Sequence, residues 1–369
     1  MRILHLLTSL GVGGAEKLVL ALADRMSKRG HTVAILVLRP RLAEQLTTSH
    51  TVIHLDMRKS PLSVVGAVAR GHRFLREFKP EIVHSHGFHG NIVARVFHLL
   101  RASPKPVSTI HNVYEGGRLR MLAYRLTDPL SRLTTAVSAA AAGRFIKLRA
   151  VPARKCIVLA NGIDITQFTS DPGRRARTRA SMNAGDDFVW LAAGRIVPAK
   201  DYPNLLRAFA HVRAEIPGTM LCIAGESADA AEYGRLRQLA EELGIEKRTK
   251  FLGLRRDLPA LFDATDGFVL ASAWEGMPLA VAEAMAMEKP VVATDVGGTR
   301  ELVADCGTLV PPHDPHTLAE AILGLMRTRP DVRLSLGHAA RARIAAHFTI
   351  DAKATAWESL YIRSLDPAK

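Results

Sequence analysis

RILHLLTSLGVGGAEKLVLALADRMSKRG, residues 2–30, begins with an apolar run that suits a buried strand. A glycine-rich turn follows, and then a segment whose apolar residues recur at helical spacing. Gly30 stands where helices commonly end, because glycine adopts the left-handed conformation at low cost. The stretch predicts a strand, a tight turn and a helix, which is the repeating unit of an α/β fold with parallel strands.

The same alternation of short apolar runs and longer helical segments continues along the whole chain. It predicts two doubly wound, Rossmann-like α/β domains that face each other across a cleft. The predicted strands of the first half are RILHLLT, TVAILVL, VIHLD, EIVHSH, PVSTIH and CIVLAN. Those of the second half are FVWLAAGR, TMLCIAGE, KFLGL, GFVLAS, PVVATDV and GTLVPP.

The pattern lapses at DITQFTSDPGRRARTRASMNAGDD, residues 164–187, which has turn formers and arginines but no apolar period. We therefore predict an interdomain linker over residues 171–187, between domains at 1–170 and 188–345. The remaining residues, 346–369, read as an amphipathic helix that packs back toward the N-terminal domain. Ligands of open α/β sheets bind at the carboxyl ends of the strands, so functional residues should lie in the loops that follow strands.

Composition indicates a globular protein of the reducing cytoplasm. Of the 369 residues, 48% are hydrophobic, and the three cysteines are far apart, without a CxxC pair. No uncharged apolar run approaches the roughly 18 residues that a membrane-spanning helix requires. The N-terminal residues resemble a signal peptide in outline, but cleavage there would remove GVGGAE, so we favour the strand.

Positive charge is concentrated in the first half of the chain. The net charge is +15; residues 1–180 hold 29 Lys+Arg against 10 Asp+Glu, and the rest hold 21 against 25. This asymmetry favours an anionic partner such as nucleic acid, an acidic membrane surface or a phosphorylated substrate. An arginine-rich composition without any such partner is the alternative.

The glycine-rich turn places Gly13 and Gly14 between the first strand and its helix. Backbone N–H groups there could face an anionic ligand. The dinucleotide fingerprint GxGxxG fails, because Glu16 occupies the sixth place counted from Gly11. A tight turn without a ligand is the alternative.

GRIVPAKDYPNLLRAF places Arg195 after a strand and Lys200 before a helix that starts near Tyr202. Two cations beside a helix N-terminus could hold a diphosphate without a metal ion. The chain has no Asp-x-Asp pair to bind a phosphate-bridging magnesium ion. Solvated surface charges are the alternative.

EGMPLAVAE, residues 275–283, contains two glutamates around Pro278, which suits the first turn of a helix. Glu275 should lie in the preceding loop and Glu283 inside the helix. Carboxylates among apolar neighbours need polar partners, and the hydroxyls of a sugar would serve. A helix cap plus an ordinary surface glutamate is the alternative.

EIVHSHGFHG aligns His84, His86 and His89, but no nearby Asp, Glu or Cys completes a set of metal ligands within the segment. We therefore predict no metal ligands. His111 ends a predicted strand and is the better catalytic candidate, although a lone histidine can also be structural.

Several segments, in this order, resemble the family-4 retaining glycosyltransferases of the two-domain B-type fold. They are GGAE, VHSHG, NGID, GRIVPAK with LLRAFA, and EGMPLAVAEAMAMEKPVVATDVGGTRELV followed by GTLVPP. The resemblance spans nearly the whole chain. It implies transfer of a sugar from a nucleotide-sugar donor to an acceptor, with retention. Together with the basic surface described below, it leads us to predict a glycan or lipid-linked acceptor in polysaccharide or glycolipid synthesis. It also implies no cofactor and no obligatory metal ion.

The resemblance also implies roles for residues of both domains. Glu275 would contact the donor sugar, Glu283 the ribose, and His111 the region of the transferred sugar. The remaining implied contacts are Arg195 and Lys200 with the diphosphate, the amides of Gly276, Met277 and Leu279 with sugar or phosphate oxygens, and Gly13 and Gly14 in the N-terminal loop. Asp201 departs from the glycine or asparagine that many members have after the lysine, so the position of Lys200 depends on where that acid points.

The implied chemistry agrees with these residue types. Cleavage of a glycosyl-phosphate bond creates negative charge on the departing diphosphate, which Arg195 and Lys200 would stabilise. Glu275 is not assigned as a nucleophile; we expect same-face attack, with the leaving phosphate accepting the proton of the acceptor.

The acceptor should bind the basic N-terminal half. Residues 116–155 combine arginines and lysines with leucines, which could lie on an anionic bilayer at the inner face of the membrane. A nucleic-acid-binding protein is an alternative, but aromatic residues are only 5% and no such module is present, so we expect no nucleic acid. A non-catalytic nucleotide-sugar binder is the other; it would lack Glu275, Arg195 or Lys200, and all three are present.

Overall fold

The computed structural model describes residues 1–227 and 229–365. The chain forms two compact units. The first comprises Met1–Gly162 and the C-terminal segment from Ile350, and the second comprises Ile163–Thr349.

The first unit is built on a seven-stranded parallel sheet in the order β3-β2-β1-β4-β5-β6-β7. The strands are β1 (Arg2–Leu7), β2 (Thr32–Val37), β3 (Thr51–His54), β4 (Ile82–His86), β5 (Val107–Ile110), β6 (Leu133–Ala136) and β7 (Cys156–Val158). Its helices are α1 (Gly14–Lys28), α2 (Pro61–Phe78), α3 (Gly87–Leu99), α4 (Arg118–Thr127) and α5 (Ala139–Lys147).

The second unit is built on a six-stranded parallel sheet in the order β10-β9-β8-β11-β12-β13. The strands are β8 (Phe188–Ala193), β9 (Thr219–Ala224), β10 (Thr249–Phe251), β11 (Gly267–Leu270), β12 (Val291–Thr294) and β13 (Thr308–Val310). Its helices are α6 (Pro172–Ser181), α7 (Tyr202–Glu215), α8 (Ala230–Glu242), α9 (Leu258–Ala264), α10 (Leu279–Ala286), α11 (Thr299–Val303), α12 (Pro315–Arg327) and α13 (Pro330–His347). The last helix, α14 (Ile350–Leu365), follows and belongs to the first unit.

Helices cover both faces of the first sheet because successive side chains of a strand point to opposite faces. Leu4 of β1 packs in a core that includes Leu75 of α2 and Phe97 of α3. Ile3 packs in another core with Met26 of α1 and Trp357 of α14. Each such side chain contributes about 1.5–3 kcal/mol when fully buried.

Strand order reverses direction between β1 and β4 in the first sheet, and between β8 and β11 in the second. At such a switch point the connections leave toward opposite faces and open a crevice at the carboxyl ends of the strands. The sequence placed its candidate residues after β1, β5, β8 and β11, three of which border these switch points.

The predicted strands were found, but β6 was missed by sequence reasoning. Its four residues, LTTA, are too few and too polar to stand out as an apolar run. Thr135 Oγ1 lies 2.7 Å from Thr109 Oγ1 of β5, whereas Thr134 Oγ1 is buried without a hydrogen-bond partner among the described residues. Buried threonines therefore make an interior strand here.

The linker predicted over residues 171–187 is instead largely helix α6, held on the second unit by its arginines. Arg175 pairs with Asp266 at 2.6 Å and Arg179 pairs with the same carboxylate at 3.1 Å. Asp171 caps the helix by accepting from the N–H of Arg174. The helix has no apolar face because ion pairs and carbonyl contacts dock it, and that is why the sequence pattern lapsed.

Helix α14 packs on α1 in the first unit. Tyr361 and Trp357 enter the core, and at the rim Glu358 accepts from Arg29 and His31, each at 2.7 Å. The chain thus returns to its first unit after completing the second.

No helix within residues 1–227 and 229–365 is both long enough and apolar enough to cross a bilayer.

Candidate active site

In the second unit, the loop after β8 turns back on itself at Gly194. Gly194 has φ +154°, and a Cβ there would lie 2.8 Å from Lys200 Cε. A Cβ on Gly225 of the next strand end would lie 1.9 Å from the Gly194 carbonyl oxygen. Because Gly194 and Gly225 have no side chain, the loop can close and Lys200 can lie against its backbone.

Lys200 and Glu275 form a largely buried ion pair in this unit. Lys200 Nζ lies 2.5 Å from Glu275 Oε1, and Ser272 Oγ donates to the same oxygen at 2.8 Å. Both charged side chains are largely buried, with 18% of Lys200 and 11% of Glu275 exposed. Oε2 of Glu275 accepts no hydrogen bond from the described part of the chain. One carboxylate oxygen is therefore fixed and the other is available to a ligand.

Tyr202 is hydrogen-bonded to the loop that contains Lys200. Its hydroxyl donates to the Gly194 carbonyl at 2.7 Å. Burial, and secondarily the nearby charge of Glu275, raise the pKa of Tyr202. The phenol therefore remains a donor and keeps the loop closed.

The loop after β11, residues 271–278, is tied to the loops on both sides. Ala273 N–H donates to the Ala199 carbonyl at 2.9 Å, and Gly298 N–H donates to the Gly276 carbonyl at 2.7 Å. Gly297 has φ +57°, and a Cβ there would lie 2.0 Å from the Glu275 carbonyl. Three strand-end loops thus fix the backbone of Glu275.

Helix α10 begins at Leu279, with Pro278 at the N-cap rather than in the first turn. Gly276 and Met277 lie in the loop before it, and the N–H groups of Gly276 and Leu279 have no hydrogen-bond partner among the described residues. Glu283 lies inside the helix, as the sequence predicted, and it is buried. Unpaired N–H groups at a helix N-terminus favour anionic oxygens.

Arg195 follows β8 and is exposed. Its guanidinium makes no ion pair or hydrogen bond within residues 1–227 and 229–365. The two predicted cations thus differ: Lys200 is held by Glu275, whereas Arg195 is open to an external anion.

Asp201, the residue that departs from the family pattern, is the N-cap of α7. Its φ is +44°, and its Oδ1 accepts from Asn204 N–H at 3.4 Å. Its Oδ2 lies 2.7 Å from His313 Nδ1. The positive φ explains why glycine or asparagine suits this position. Both oxygens of the Asp201 carboxylate therefore have partners other than Lys200: Oδ1 accepts from the Asn204 N–H and Oδ2 contacts His313.

In the first unit, Gly13 is the N-cap of α1 and Gly14 is its first residue. The group that comes close to Gly13 is the side chain of Glu16: a Cβ on Gly13 would lie 2.4 Å from Glu16 Oε2. Ser9 Oγ donates to the other oxygen at 3.4 Å. A carboxylate thus occupies the helix N-terminus where a phosphate was predicted, and Gly13 and Gly14 remain candidates without a visible phosphate cradle.

His111 directly follows β5, is half-buried, and forms a row with the buried histidines His86 and His5. His111 Nε2 lies 3.0 Å from His86 Nδ1, and His86 Nε2 lies 3.2 Å from His5 Nδ1. Burial lowers the pKa of His111 to about 4 and that of His5 to about 3, and holds the pKa of His86 well below its usual range. The row consists of neutral imidazoles.

Sequence reasoning missed Glu115, which shapes the His111 loop. Glu115 Oε1 accepts from the His111 backbone N–H at 3.0 Å, and Oε2 accepts from the Tyr124 hydroxyl at 2.6 Å. Burial raises the pKa of Glu115 to about 7, although both hydrogen bonds oppose the shift. Only its position four residues after His111 could have suggested it.

The structure also changes the histidine trio that was considered for a metal ion. His89 lies in α3, and the third buried histidine beside His84 and His86 is His5, with ligand nitrogens within 4.8 Å of one another. His84 already bonds Tyr361 OH and Thr109 Oγ1, both at 2.6 Å. Its ring is tilted by 42° relative to that of His86, with centroids 4.0 Å apart. These rings fit a hydrogen-bonded cluster better than a metal centre.

Comparison with known proteins bears on the family and the fold of the chain. Residues 12–167 match the family described as Glycosyltransferase Family 4, and residues 174–343 match the family described as Glycosyl transferases group 1. The fold matches Anabaena HepE in complex with UDP-glucose at a TM-score of 0.86, with 24% identity and coverage of 98% of this chain and 99% of that one. It also matches WaaG, a glycosyltransferase involved in lipopolysaccharide biosynthesis, at 0.76, with 19% identity and coverage of 96% and 98%. The fold class is therefore the two-domain B-type glycosyltransferase fold.

Among curated proteins, a D-inositol 3-phosphate glycosyltransferase of Mycobacterium marinum is 36% identical over 59% of this chain and 47% of its own length. One of Saccharomonospora viridis is 40% identical over 49% and 44%. The chain spans about half the length of the curated relatives it matches. With both family matches in sequence order, the chain belongs to the family-4 group of glycosyltransferases.

Proposed function

We propose that the protein is a retaining glycosyltransferase that moves a sugar from a nucleotide-sugar donor to a glycan or lipid-linked acceptor. The observation that carries this proposal is the pairing of Lys200 with Glu275 at the carboxyl ends of β8 and β11. A carboxylate with one fixed and one open oxygen, beside unpaired helix N–H groups, suits a ligand that has both hydroxyls and a diphosphate.

In this proposal each group has a separate task. Arg195 and Lys200, with the N–H groups of Gly276 and Leu279, hold the diphosphate and stabilise its growing charge. Oε2 of Glu275 accepts from a sugar hydroxyl. Glu283 binds the ribose, and Met277 contributes its backbone amide.

Glu275 is proposed to orient the sugar and not to attack it. Its Oε1 is engaged by Lys200 and Ser272, which draw electron density from the carboxylate. The acceptor oxygen instead attacks the anomeric carbon on the face that the diphosphate leaves, and its proton passes to the departing phosphate oxygen. One C–O bond breaks as another forms, and the configuration is kept. The groups proposed here hold the donor without a metal ion.

A basic, apolar surface on α4 supports a lipid-linked acceptor. Leu119 and Leu126 are 83% and 70% exposed, with Arg118 and Arg125 beside them on the same helix. Exposed leucines among arginines suit an anionic bilayer. We propose that this helix places the protein on the membrane surface. Cosedimentation with vesicles of phosphatidylglycerol but not phosphatidylcholine, lost in Leu119→Ser/Leu126→Ser, is expected; equal binding to both would contradict it.

The central experiment measures donor binding and turnover. Melting temperature is measured with UDP, GDP and ADP and their glucose and mannose derivatives, starting with UDP-glucose because HepE binds it. A ligand that binds only the native state raises the melting temperature. Turnover is then followed with lipid-linked glycans and with inositol phosphate, the substrate in the names of the relatives.

The variant Glu275→Ala should lose turnover and weaken the donor-induced shift. Glu215→Ala is the matched control, because Glu215 also belongs to an ion pair of the second unit, with Arg327, but lies more than half exposed. No shift with any nucleotide sugar, together with salt-sensitive binding to DNA or RNA, would overturn the proposal.

A further inference from the structure

The row His5, His86 and His111 connects the buried centre of the first sheet to its carboxyl edge. It uses two ring-to-ring hydrogen bonds, His111 Nε2 to His86 Nδ1 at 3.0 Å and His86 Nε2 to His5 Nδ1 at 3.2 Å. His5 and His86 lie on the adjacent strands β1 and β4, and His111 follows β5 on the other side of β4. The sheet therefore fixes the spacing of all three rings.

The two ends of the row differ. His5 Nε2 is buried and has no partner among the described residues. His111 Nδ1 also has no hydrogen-bond partner among the described residues, but His111 is only half-buried and this nitrogen reaches solvent. One end of the row is closed and the other is open to a ligand.

Burial keeps all three imidazoles neutral, because the pKa of each is depressed far below neutrality. A neutral imidazole has one ring proton, so each ring donates through one nitrogen and accepts through the other. The two hydrogen bonds must then run in the same direction along the row. Only two proton arrangements satisfy both.

In the first arrangement, His5 Nδ1–H donates to His86 Nε2, and His86 Nδ1–H donates to His111 Nε2. Bare nitrogen then remains at His5 Nε2, and the proton of His111 lies on Nδ1. In the second arrangement every donor is reversed, and His5 Nε2 has a buried N–H without an acceptor. His5 Nε2 is unpaired in both arrangements, but buried N–H donors without an acceptor are rarer in native proteins than under-satisfied acceptors, so the first arrangement is favoured.

We infer that His5 and His86 are positioning residues that hold His111 as the Nδ1–H tautomer, so that His111 donates a hydrogen bond to an oxygen of the substrate. His111 then cannot serve as a general base through that nitrogen. Its ligand atom is an acceptor: a sugar hydroxyl oxygen or a phosphate oxygen. The substrate contact rests on the proposed glycosyltransferase function, whereas the tautomer does not.

The tautomer is read directly from ring ¹⁵N shifts and couplings of histidine-labelled full-length protein by NMR at pH 7.5. Protonated Nδ1 with bare Nε2 on His111 is expected. A proton on Nε2 of His111 overturns the inference, whether or not the enzyme is active. If no donor gives turnover while His111 keeps Nδ1–H, the glycosyltransferase proposal fails and the tautomer assignment holds.

The variant His86→Asn tests the coupling, because an amide can turn either its N–H or its oxygen toward His111. Mixed tautomers of His111 are expected, with kcat/KM lower by about threefold to tenfold, the scale of one hydrogen bond. His98→Asn on α3 is the control, since the His98 ring bonds the Ser103 carbonyl and lies outside the row.

A double-mutant cycle separates this role from a purely structural one. If His86 acts through His111, then His86→Asn has no further effect on kcat/KM in a His111→Phe background. Equal additional losses in both backgrounds, with the His111 tautomer unchanged, would overturn the inference.

Discussion

At the residue scale, the Lys200–Glu275 pair joins stability to function. Most of each side chain is withdrawn from water, so removing one partner leaves a poorly solvated charge. We expect Lys200→Met to lower the free energy of unfolding by about 3 kcal/mol and kcat by about two orders of magnitude.

The double variant Lys200→Met/Glu275→Gln checks the physical reason. It should recover much of the lost stability, because no unpaired charge remains, while turnover stays low. Urea unfolding measures the first and a donor-turnover assay the second. Arg327→Met, at an exposed ion pair, should change stability by less than about 1 kcal/mol. If Lys200→Met and Arg327→Met lower the free energy of unfolding equally, burial of the Lys200–Glu275 pair is not the cause of the loss.

Glu115 should make stability depend on pH. Its folded pKa of about 7 exceeds the ordinary value of 4.5, so the native state binds its proton more tightly than the unfolded chain. The stabilisation is complete below about pH 4.5 and is lost as pH rises to about 7. The stability of the wild type relative to Glu115→Gln should therefore fall by on the order of 2 kcal/mol between pH 5 and pH 7.5, measured by urea unfolding. A constant difference would refute the raised pKa.

At the element scale, helix α7 depends on a cap with unusual backbone geometry. Asp201 combines φ +44° with a side chain that accepts from Asn204 N–H. Asp201→Asn should be nearly neutral, Asp201→Gly should cost a few tenths of a kcal/mol, and Asp201→Ala should cost about 1–2 kcal/mol. Thermal unfolding of the three variants measures their order of stability. If the alanine variant is as stable as the glycine variant, the left-handed backbone at residue 201 does not determine the loss of stability.

Element by element, the sequence predicted the strands with continuous apolar runs, because strands covered on both faces leave that signature. It missed β6, whose Thr134 and Thr135 bury their hydroxyls within the sheet. It also took α6 for a linker, because arginines and not apolar residues dock that helix. For Thr135 and for the arginines of α6 the cause is the same: each polar side chain has a partner that is distant in sequence, which a local pattern does not reveal.

At the scale of the whole molecule, acid should unfold the protein through four histidines whose pKa values are depressed in the folded state. His5, His84, His86 and His111 all have folded pKa values below the unfolded value near 6.5. Their contribution to stability is present above pH 6.5 and is lost as pH falls toward 4. Each histidine can change the free energy of unfolding by up to about 1.4 kcal/mol per pH unit. Glu115, whose pKa is raised, acts in the opposite direction and offsets the contribution of about one of the four histidines.

The expected result is a steep fall in urea stability between pH 6.5 and pH 4.5. The fluorescence of Trp357 should report it, since its ring centroid is 4.3 Å from that of His84. Replacing His84 by Gln should reduce the slope by about one proton. A stability that is flat over this range would show that the buried histidines accept protons without unfolding.

The sequence by itself determined the α/β class, the two-unit division, and the positions of Lys200, Glu275 and Glu283 relative to strand ends, because these follow from local apolar period and turn chemistry. Only the tertiary structure decided which side chains meet. It paired Lys200 with Glu275, filled the turn at Gly13 with the Glu16 carboxylate, and joined His5 to His86 and His111. The physical reason is that hydrogen bonds and ion pairs act over about 3 Å, whereas these partners lie up to 81 residues apart and are brought together only by parallel strand order.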